Sequence, residues 1–350
     1  MVLLRTTMIR HVNGDILEAP AEALVNTVNT VGVMGKGIAL QFRQAFPENY
    51  RLYRAACERG EVKPGRMFVS PTGLLGNPRF IVNFPTKRHW KGKSLIEDIE
   101  AGLQDLVEVI RQEGIRSIAI PPLGCGNGGL KWSEVRPRIE GALQAVPQTE
   151  VLLFEPAGSP DPERMVVRTD PPKMNEWRAA LLAILERYAL PGYRITMLEI
   201  QKLLYFLQVA GEPLELRFVK AQYGPYAETV HHVLQRLEGH FIRGYGDRSR
   251  EATIRLLPEA QEAARSFLEQ HPRTHERIER VARLIEGFET PYGLELLSSI
   301  HWLAGEDEQV RRDVSAAESE LHRWTERKGK LFQPHHVQVA WSQLREQGWI

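Results

Sequence analysis

Six short apolar runs punctuate the first half of the chain: residues 8–12, 23–28, 67–70, 80–84, 117–121 and 151–154. Each is bounded by turn-forming residues and is too short for a helix, so each reads as a strand with little exposed surface. Amphipathic stretches separate them. In the longest, residues 94–111, Leu95, Ile99, Leu103, Leu106 and Ile110 fall on one helical face, with Ser94 as the expected N-cap. Another begins near Gly37 and runs to Phe46, and a third follows Trp132. Alternation of this kind restricts residues 1–157 to an α/β domain, a parallel or mixed sheet layered with helices, in which ligands bind at the carboxyl ends of the strands.

The pattern then changes. Residues 155–174 hold five prolines and read as connecting chain. The expected division is a domain over 1–157, a linker over 158–174 and a second domain over 175–350. The second domain is mainly helical, with helices expected at 176–190, 197–210, 227–237, 258–269, 273–286, 294–303 and 334–347. Strands are expected only at 214–220 and 241–257, turning at "GYGD". Two domains suit 350 residues, and 43% apolar with 25% charged residues describes an ordinary folded chain. A net charge of +1 excludes a global field for nucleic acid, so any basic patch is local. Two cysteines, Cys57 and Cys125, make no disulfide framework and point to a reducing compartment, the cytoplasm. Residues 1–11 are broken by Arg5, too short for a signal segment, and no run reaches the ~18 apolar residues of a membrane helix. No membrane partner is expected.

Four loops at strand ends carry unusual residues. In "VNGDIL", Asp15 could accept hydrogen bonds from an adenine amino group or a ribose hydroxyl, or could simply cap a short helix. In "VNTVNTVGVMGKGIALQF", Asn26 and Asn29 precede Gly32, Gly35 and Gly37 at the start of a helix, a place that suits an anion. It is not a nucleotide-triphosphate loop: Thr30 stands where a glycine is required, and Gly37 follows Lys36. In "IPPLGCGNGGLKW", Gly124, Gly126 and Gly129 match G-x-G-x-x-G, but the acidic residue a dinucleotide fold wants at the end of the next strand would fall near "VPQTE", before the domain's last strand, and the motif sits late in the domain, so that fold is not expected. The glycine nest still suits a pyrophosphate. Cys125 has only His89 as a conceivable base, so a catalytic cysteine is not expected. In "FIVNFPTKRHW", Lys87, Arg88, Lys91 and Lys93 surround His89 and Trp90. Basic residues interleaved with an aromatic fit phosphates and a stacked base; taken alone they also read as a solvated loop.

Together these motifs resemble a macrodomain, the ADP-ribose-binding module, over about residues 7–156. The resemblance implies a three-layer α/β/α fold with a mixed sheet. "GVMGKGIALQFRQAFP" and "NFPTK" are similar to the branch that includes the terminal ADP-ribose glycohydrolases. The second half, residues 199–247 above all, is similar to the toxin-binding domain of DarG-type antitoxins. That architecture implies an enzyme that removes ADP-ribose from bases of single-stranded DNA, and a partner, the DarT-type ADP-ribosyltransferase toxin. ADP-ribose is then ligand and product, with no cofactor and no metal.

Carried onto this sequence, Asp15 and Ile16 would sit by the adenine, with Phe154 flanking it. Asn29 and the loop of Gly32, Gly35, Lys36 and Gly37 would hold the distal ribose beside Thr86. Leu123, Gly124, Cys125, Gly126, Asn127, Gly128, Gly129 and Leu130 would wrap the pyrophosphate. Lys87 aligns with the lysine that attacks the ribose anomeric carbon, with Asn29 orienting the ribose, and Arg88, Trp90 and Lys91 would meet the DNA. Lys87 must be neutral to attack, and Arg88 and Lys91 are the expected cationic neighbours that lower its pKa. The sequence departs from the branch in one place: no carboxylate stands in the 123–130 loop. This leaves a binding module that reads ADP-ribose without cleaving it as the alternative. A third reading is a protein–protein antitoxin with a vestigial first domain. In the second half, Met197, Ile200, Leu204 and Leu207 are expected core, Tyr223 and Tyr226 are either interface anchors or core, and His231, His232, His335 and His336 lack metal spacing.

Overall fold

A computed structural model describes residues 8–158, 160–189, 192–246 and 252–350. The chain forms two compact units, one reaching Asp170 and the other starting at Pro171. In the first, the strands are β1 (Ile9–Val12), β2 (Ala23–Asn29), β3 (Phe68–Pro71), β4 (Phe80–Lys87), β5 (Ser117–Ile120) and β6 (Glu150–Phe154). They form one sheet in the order β1-β6-β5-β2-β4-β3, parallel except for the antiparallel β3–β4 pair. The helices are α1 (Gly37–Ala45), α2 (Pro47–Glu58), α3 (Ile96–Gln112) and α4 (Trp132–Leu143).

Alternation along the strands decides what each face touches. Leu24, Ile81, Ala119 and Leu152 share a core with Phe42 of α1. Their neighbours Ala23, Val25, Val82, Ile118, Val151 and Leu153 share another with Ile99, Leu103, Leu106 and Ile110 of α3 and Val135, Ile139 and Leu143 of α4. Burying each large aliphatic side chain is worth about 1.5–3 kcal/mol, so the two apolar faces fix a three-layer α/β/α unit. Gly102 lets α3 lie against the sheet: a Cβ there would stand 2.3 Å from the Phe84 ring.

Several expectations change. Ser94 does not cap α3, which begins at Ile96 with Leu95 as its N-cap; Ser94 is buried under the 124–128 loop instead. The helix at Pro47–Glu58 was not expected; Pro47 at its first position stops α1 and starts α2. β4 continues beyond residue 84 to Lys87. Pro85 lies beyond the β3 pairing of β4, which covers only Phe80–Asn83, so it interrupts no ladder on that side. Beyond that point the β2–β4 register slips: Val28 pairs Pro85, but Asn29 pairs Lys87. Residues 160–170 pack on the first unit, where Met165 is buried and the Arg168 N–H donates to the Gln44 carbonyl at 2.8 Å.

In the second unit the seven expected helices form, with no end displaced by more than three residues. Glu308–Arg312, Val314–Trp324 and Glu326–Leu331 add to them, each opened by a side-chain cap from Asp307, Asp313 or Thr325. The strand expected at 214–220 contracts to Val219–Ala221. Gln208 takes the Leu216 backbone for itself, donating to its carbonyl at 3.0 Å and accepting from its N–H at 2.8 Å. Val219–Ala221 pairs with Gly224–Tyr226 as a hairpin. The stretch 241–257 divides into Ile242–Arg243 and Thr253–Leu256, and the expected turn ends at Asp247, outside the described residues. Among the described residues, no helix is long and apolar enough to cross a membrane.

Candidate active site

Five parallel strands end on one edge of the first unit's sheet, and the unusual loops follow them. From β1 to β4 the loops come in a fixed order. Asp15 follows β1, Phe154 ends β6, the 123–130 loop follows β5, Asn29 ends β2 and Lys87 ends β4. At about 4.8 Å per strand, four steps span about 19 Å.

Lys87 occupies the far end. Its Nζ donates to the Asn127 carbonyl, which joins β4 to the glycine loop. The Asn127 side chain in turn lies 3.1 Å from where a Cβ on Gly37 would be, at the start of α1. That helix has Lys36 as its N-cap with no side-chain bond to its first amides, so its positive end is open to an anion. Burial lowers the Lys87 pKa. The expected help from Arg88 and Lys91 is not the cause: Arg88 is held by Asp98, Nε to Oδ2 at 3.2 Å and Nη2 to Oδ1 at 3.1 Å, which neutralises it. Lys91 instead lies over the Trp90 ring, Nζ 4.9 Å from the centroid. Trp90 is half exposed, so this indole and the Lys91 ammonium over it face solvent, three and four residues beyond Lys87 in the chain.

Asn29 is spent on its own loop. Its Nδ2 donates to the Val33 carbonyl at 2.6 Å, and its Oδ1 accepts from the Val31 and Val33 amides at 3.1 and 3.2 Å. Buried Tyr53 donates to the Asn29 carbonyl from below. Thr30 Oγ1 donates to the Arg88 carbonyl at 2.7 Å and ties this loop to the end of β4. Asn26, read with it from the sequence, belongs to the core. It donates to Asn83 Oδ1 at 3.0 Å, within a network completed by Asn49 and Ser70. Thr86 is buried and its hydroxyl reaches the Val28 carbonyl at 3.4 Å.

The 123–130 loop is pinned at its base. The Leu130 N–H donates to the Gly124 carbonyl at 3.0 Å, the Gly129 N–H to the Gly126 carbonyl at 3.1 Å, and the Ser94 N–H to the Gly128 carbonyl at 3.0 Å. Gly124 has φ +71° and Gly129 +80°, which glycine alone adopts freely. Among the described residues the amides of Asn127 and Gly128 have no acceptor, as a phosphate nest requires. Leu123 is core and Leu130 packs beside it. The Cys125 thiol is pushed up to about 11 by burial and donates to the Leu123 carbonyl at 3.5 Å, so it is no nucleophile at neutral pH.

At the other end, Asp15 does cap the short turn Ile16–Glu18, its Oδ1 accepting from the Leu17 N–H at 2.9 Å. Burial raises its pKa against that bond. Ile16 and Phe154 share a core cluster beside it. The residues that sequence reasoning missed are the supports: Ser94, Thr30, Tyr53 and Asp98. Only Ser94 carried a signal, as a serine at the head of α3, and it pointed to the wrong role.

A parallel-edged α/β/α unit with a glycine nest at a central strand end and a partly buried lysine two strands away defines a macro domain, and the Macro domain family model matches residues 25–139. Over nearly its whole length the chain goes further: it belongs to the DarG family, the DNA ADP-ribosyl glycohydrolases. The Thermus aquaticus DNA ADP-ribosyl glycohydrolase is 50% identical over 97% of this chain and 94% of its own. The Mycobacterium tuberculosis DNA ADP-ribosyl glycohydrolase is 42% identical over 95% of this chain and 98% of its own. A Thermosipho africanus DNA ADP-ribosyl transferase-DNA ADP-ribosyl glycohydrolase fusion protein is 41% identical over 36% of each chain.

Proposed function

We propose that the first unit removes ADP-ribose from bases of single-stranded DNA by attack of Lys87 on the distal ribose, and that the second unit binds a DarT-type ADP-ribosyltransferase toxin. The observation that carries the first part is the order of loops along the sheet edge. Asp15, Ile16 and Phe154 offer an adenosine site at one end, the 123–130 nest a pyrophosphate site in the middle, and Asn29 with Lys87 a ribose site at the other. This is the sequence of groups in ADP-ribose itself.

The chemistry follows from the lysine's setting. Its partial burial favours the neutral amine. The amine lone pair forms a bond to the anomeric carbon as the glycosidic bond breaks. The bonding pair leaves on the base nitrogen, and the base takes up the proton that the attacking nitrogen loses. Ring opening, with the ring oxygen taking a proton from solvent, gives a protonated Schiff base; water adds to it and the proton returns to solvent, releasing ADP-ribose and regenerating the amine. No carboxylate stands in the loop. The nearest acceptor to Lys87 Nζ in the free site is the Asn127 carbonyl, which cannot carry a proton. The loop of Asn29, Gly32, Gly35 and Lys36 frames the ribose, with the Asn29 side chain shaping the loop. Trp90 and Lys91 offer the DNA strand a stacking face and a cation, and Arg88 beside them presents its exposed guanidinium as one half of an ion pair with Asp98.

For the second unit, Tyr223 is 46% exposed at the tip of the hairpin, with the Arg327 guanidinium 4.6 Å from its ring. An exposed tyrosine at a hairpin tip with an arginine of the helix Glu326–Leu331 packed on its ring is the composition of an interface anchor. Tyr226 is less exposed and donates to Glu228 at 2.6 Å. A relative that joins transferase and glycohydrolase in one chain supports the pairing. The decisive assay is release of free ADP-ribose from modified single-stranded DNA. Lys87→Ala is expected to lose turnover by roughly three orders of magnitude while still binding ADP-ribose. No release by the unaltered protein would leave a binding module, and unchanged turnover in Lys87→Ala would remove the lysine from the mechanism.

A further inference from the structure

Resting on the reading of residues 123–130 as a pyrophosphate loop, we infer that Ser94 is a positioning residue whose hydroxyl engages that loop only when ligand is bound. The residue is 5% exposed, and its Oγ is buried without a hydrogen-bond partner. It is nevertheless aimed into the loop. A Cβ on Gly128 would stand 2.2 Å from this Oγ and 2.3 Å from the Gly124 carbonyl oxygen, and a Cβ on Gly124 would stand 3.1 Å from the same Oγ. The hydroxyl therefore occupies the space that a side chain at 128 would need.

A buried hydroxyl without a partner is a cost that folding alone does not justify. A second unresolved group lies one peptide away. Lys87 Nζ is bound to the Asn127 carbonyl, and an amine whose position is set by that bond must be freed to reach a ribose carbon. One rearrangement answers both. When a pyrophosphate takes the Asn127 and Gly128 amides, the peptides of residues 126–128 turn, the Asn127 carbonyl leaves Lys87, and a loop carbonyl or amide comes to Ser94 Oγ. The Ser94 N–H bond to the Gly128 carbonyl, 3.0 Å, is the pivot next to the moving peptides. Ser94 touches neither substrate nor the reacting atoms, so it acts on catalysis through the loop.

The test is Ser94→Ala in the full chain, with thermal denaturation and calorimetric titration of ADP-ribose, ADP and adenosine. Without ligand the variant is expected to melt about 2–4 °C higher, because an unsatisfied hydroxyl is removed. With ADP-ribose and ADP it is expected to bind roughly three- to tenfold more weakly, and with adenosine equally well. Turnover is expected to fall, with the acidic limb of its pH profile moved. Equal affinity for all three ligands overturns the inference. So does a lower melting temperature in the free protein with a normal ligand-induced rise, the mark of a plain packing role. If the unaltered protein does not bind ADP-ribose, the functional reading itself fails and this inference falls with it.

Discussion

Gly128 has no room for a side chain: the Ser94 hydroxyl and the Gly124 carbonyl fill the space where one would stand. Gly128→Ala places a methyl 2.2 Å from Ser94 Oγ and 2.3 Å from the Gly124 carbonyl oxygen, where an ordinary contact is 3.4 Å or more. Both overlaps exceed 1 Å. The serine can rotate away, but the Gly124 carbonyl cannot, because it also accepts the Leu130 N–H that closes the loop. The loop must open, at about 2–3 kcal/mol for an overpacked site. In a unit of this size that lowers the melting temperature by about 4–12 °C. ADP-ribose affinity should fall by at least roughly tenfold as the amides lose alignment, since each bond to a charged group is worth about 1.5–3 kcal/mol. Gly126→Ala is the internal control: its Cβ would meet nothing within 4 Å, so stability should stay within about 0.5 kcal/mol of the parent. Combining Gly128→Ala with Ser94→Ala should relieve the serine overlap only, so the double variant recovers part of the loss. Calorimetric melting and ADP-ribose titration of the four proteins settle the matter. A Gly128→Ala protein with parental stability and affinity would refute the reasoning.

Other consequences can be checked in the same way. Because burial lowers the Lys87 pKa from 10.5, the neutral amine is available at lower pH than for a free lysine. Turnover should therefore rise with pH along a limb centred below 10.5, while Lys87→Arg, always charged, should be inactive throughout. Glu238 is pushed up to about 7 by burial against its bonds from the Gly244 and Tyr245 amides. Between 4.5 and about 7 the folded state holds a proton that the unfolded chain has lost, so the second unit loses stability as pH rises through that window; melting curves of Glu238→Gln should be flatter there. Glu295 is buried and bonds Lys328 Nζ at 2.7 Å and Arg327 at 2.7 and 3.1 Å. Glu295→Ala strands the fully buried Lys328 and should cost about 3–5 kcal/mol, read as a large loss in denaturant midpoint. Tyr223→Ala should weaken toxin binding at least tenfold in a pull-down or titration and leave ADP-ribose release unchanged.

Periodicity revealed the six strands and the apolar face of α3, because those patterns are set by burial on one side of a regular element. The four loops were legible for a different reason: glycines and asparagines at strand ends have few structural uses. What the sequence hid was who supports whom. Ser94 looks like a helix cap because serine at a helix start usually is one; here the chain between Lys87 and α3 folds under the glycine loop and carries the serine away from the helix axis. Arg88 looked like an electrostatic aid to Lys87, and only the fold brings Asp98 of α3 against it. Asn29 read as a ligand residue because its hydrogen-bonding groups were uncommitted on paper, and the loop it closes on itself is local but irregular. Two of the three extra helices of the second unit, Glu308–Arg312 and Glu326–Leu331, were hidden by shortness, although Asp307 and Thr325 announced their starts.

The one-residue slip between β2 and β4 gives the site a dependence on length as well as on chemistry. Thr86 has no partner residue across the sheet, and its hydroxyl reaches back to Val28. This unpaired residue is what sets Lys87 opposite Asn29. Strand side chains alternate faces, so a chain shorter by one residue between Phe84 and Lys87 would keep every residue type the chemistry needs and present the lysine to the other face. Among relatives, the number of residues from Asn83 to the lysine is then a stricter mark of a working site than the identity of those between them. Substitutions in that short span are tolerable where they keep the count, and a deletion is not.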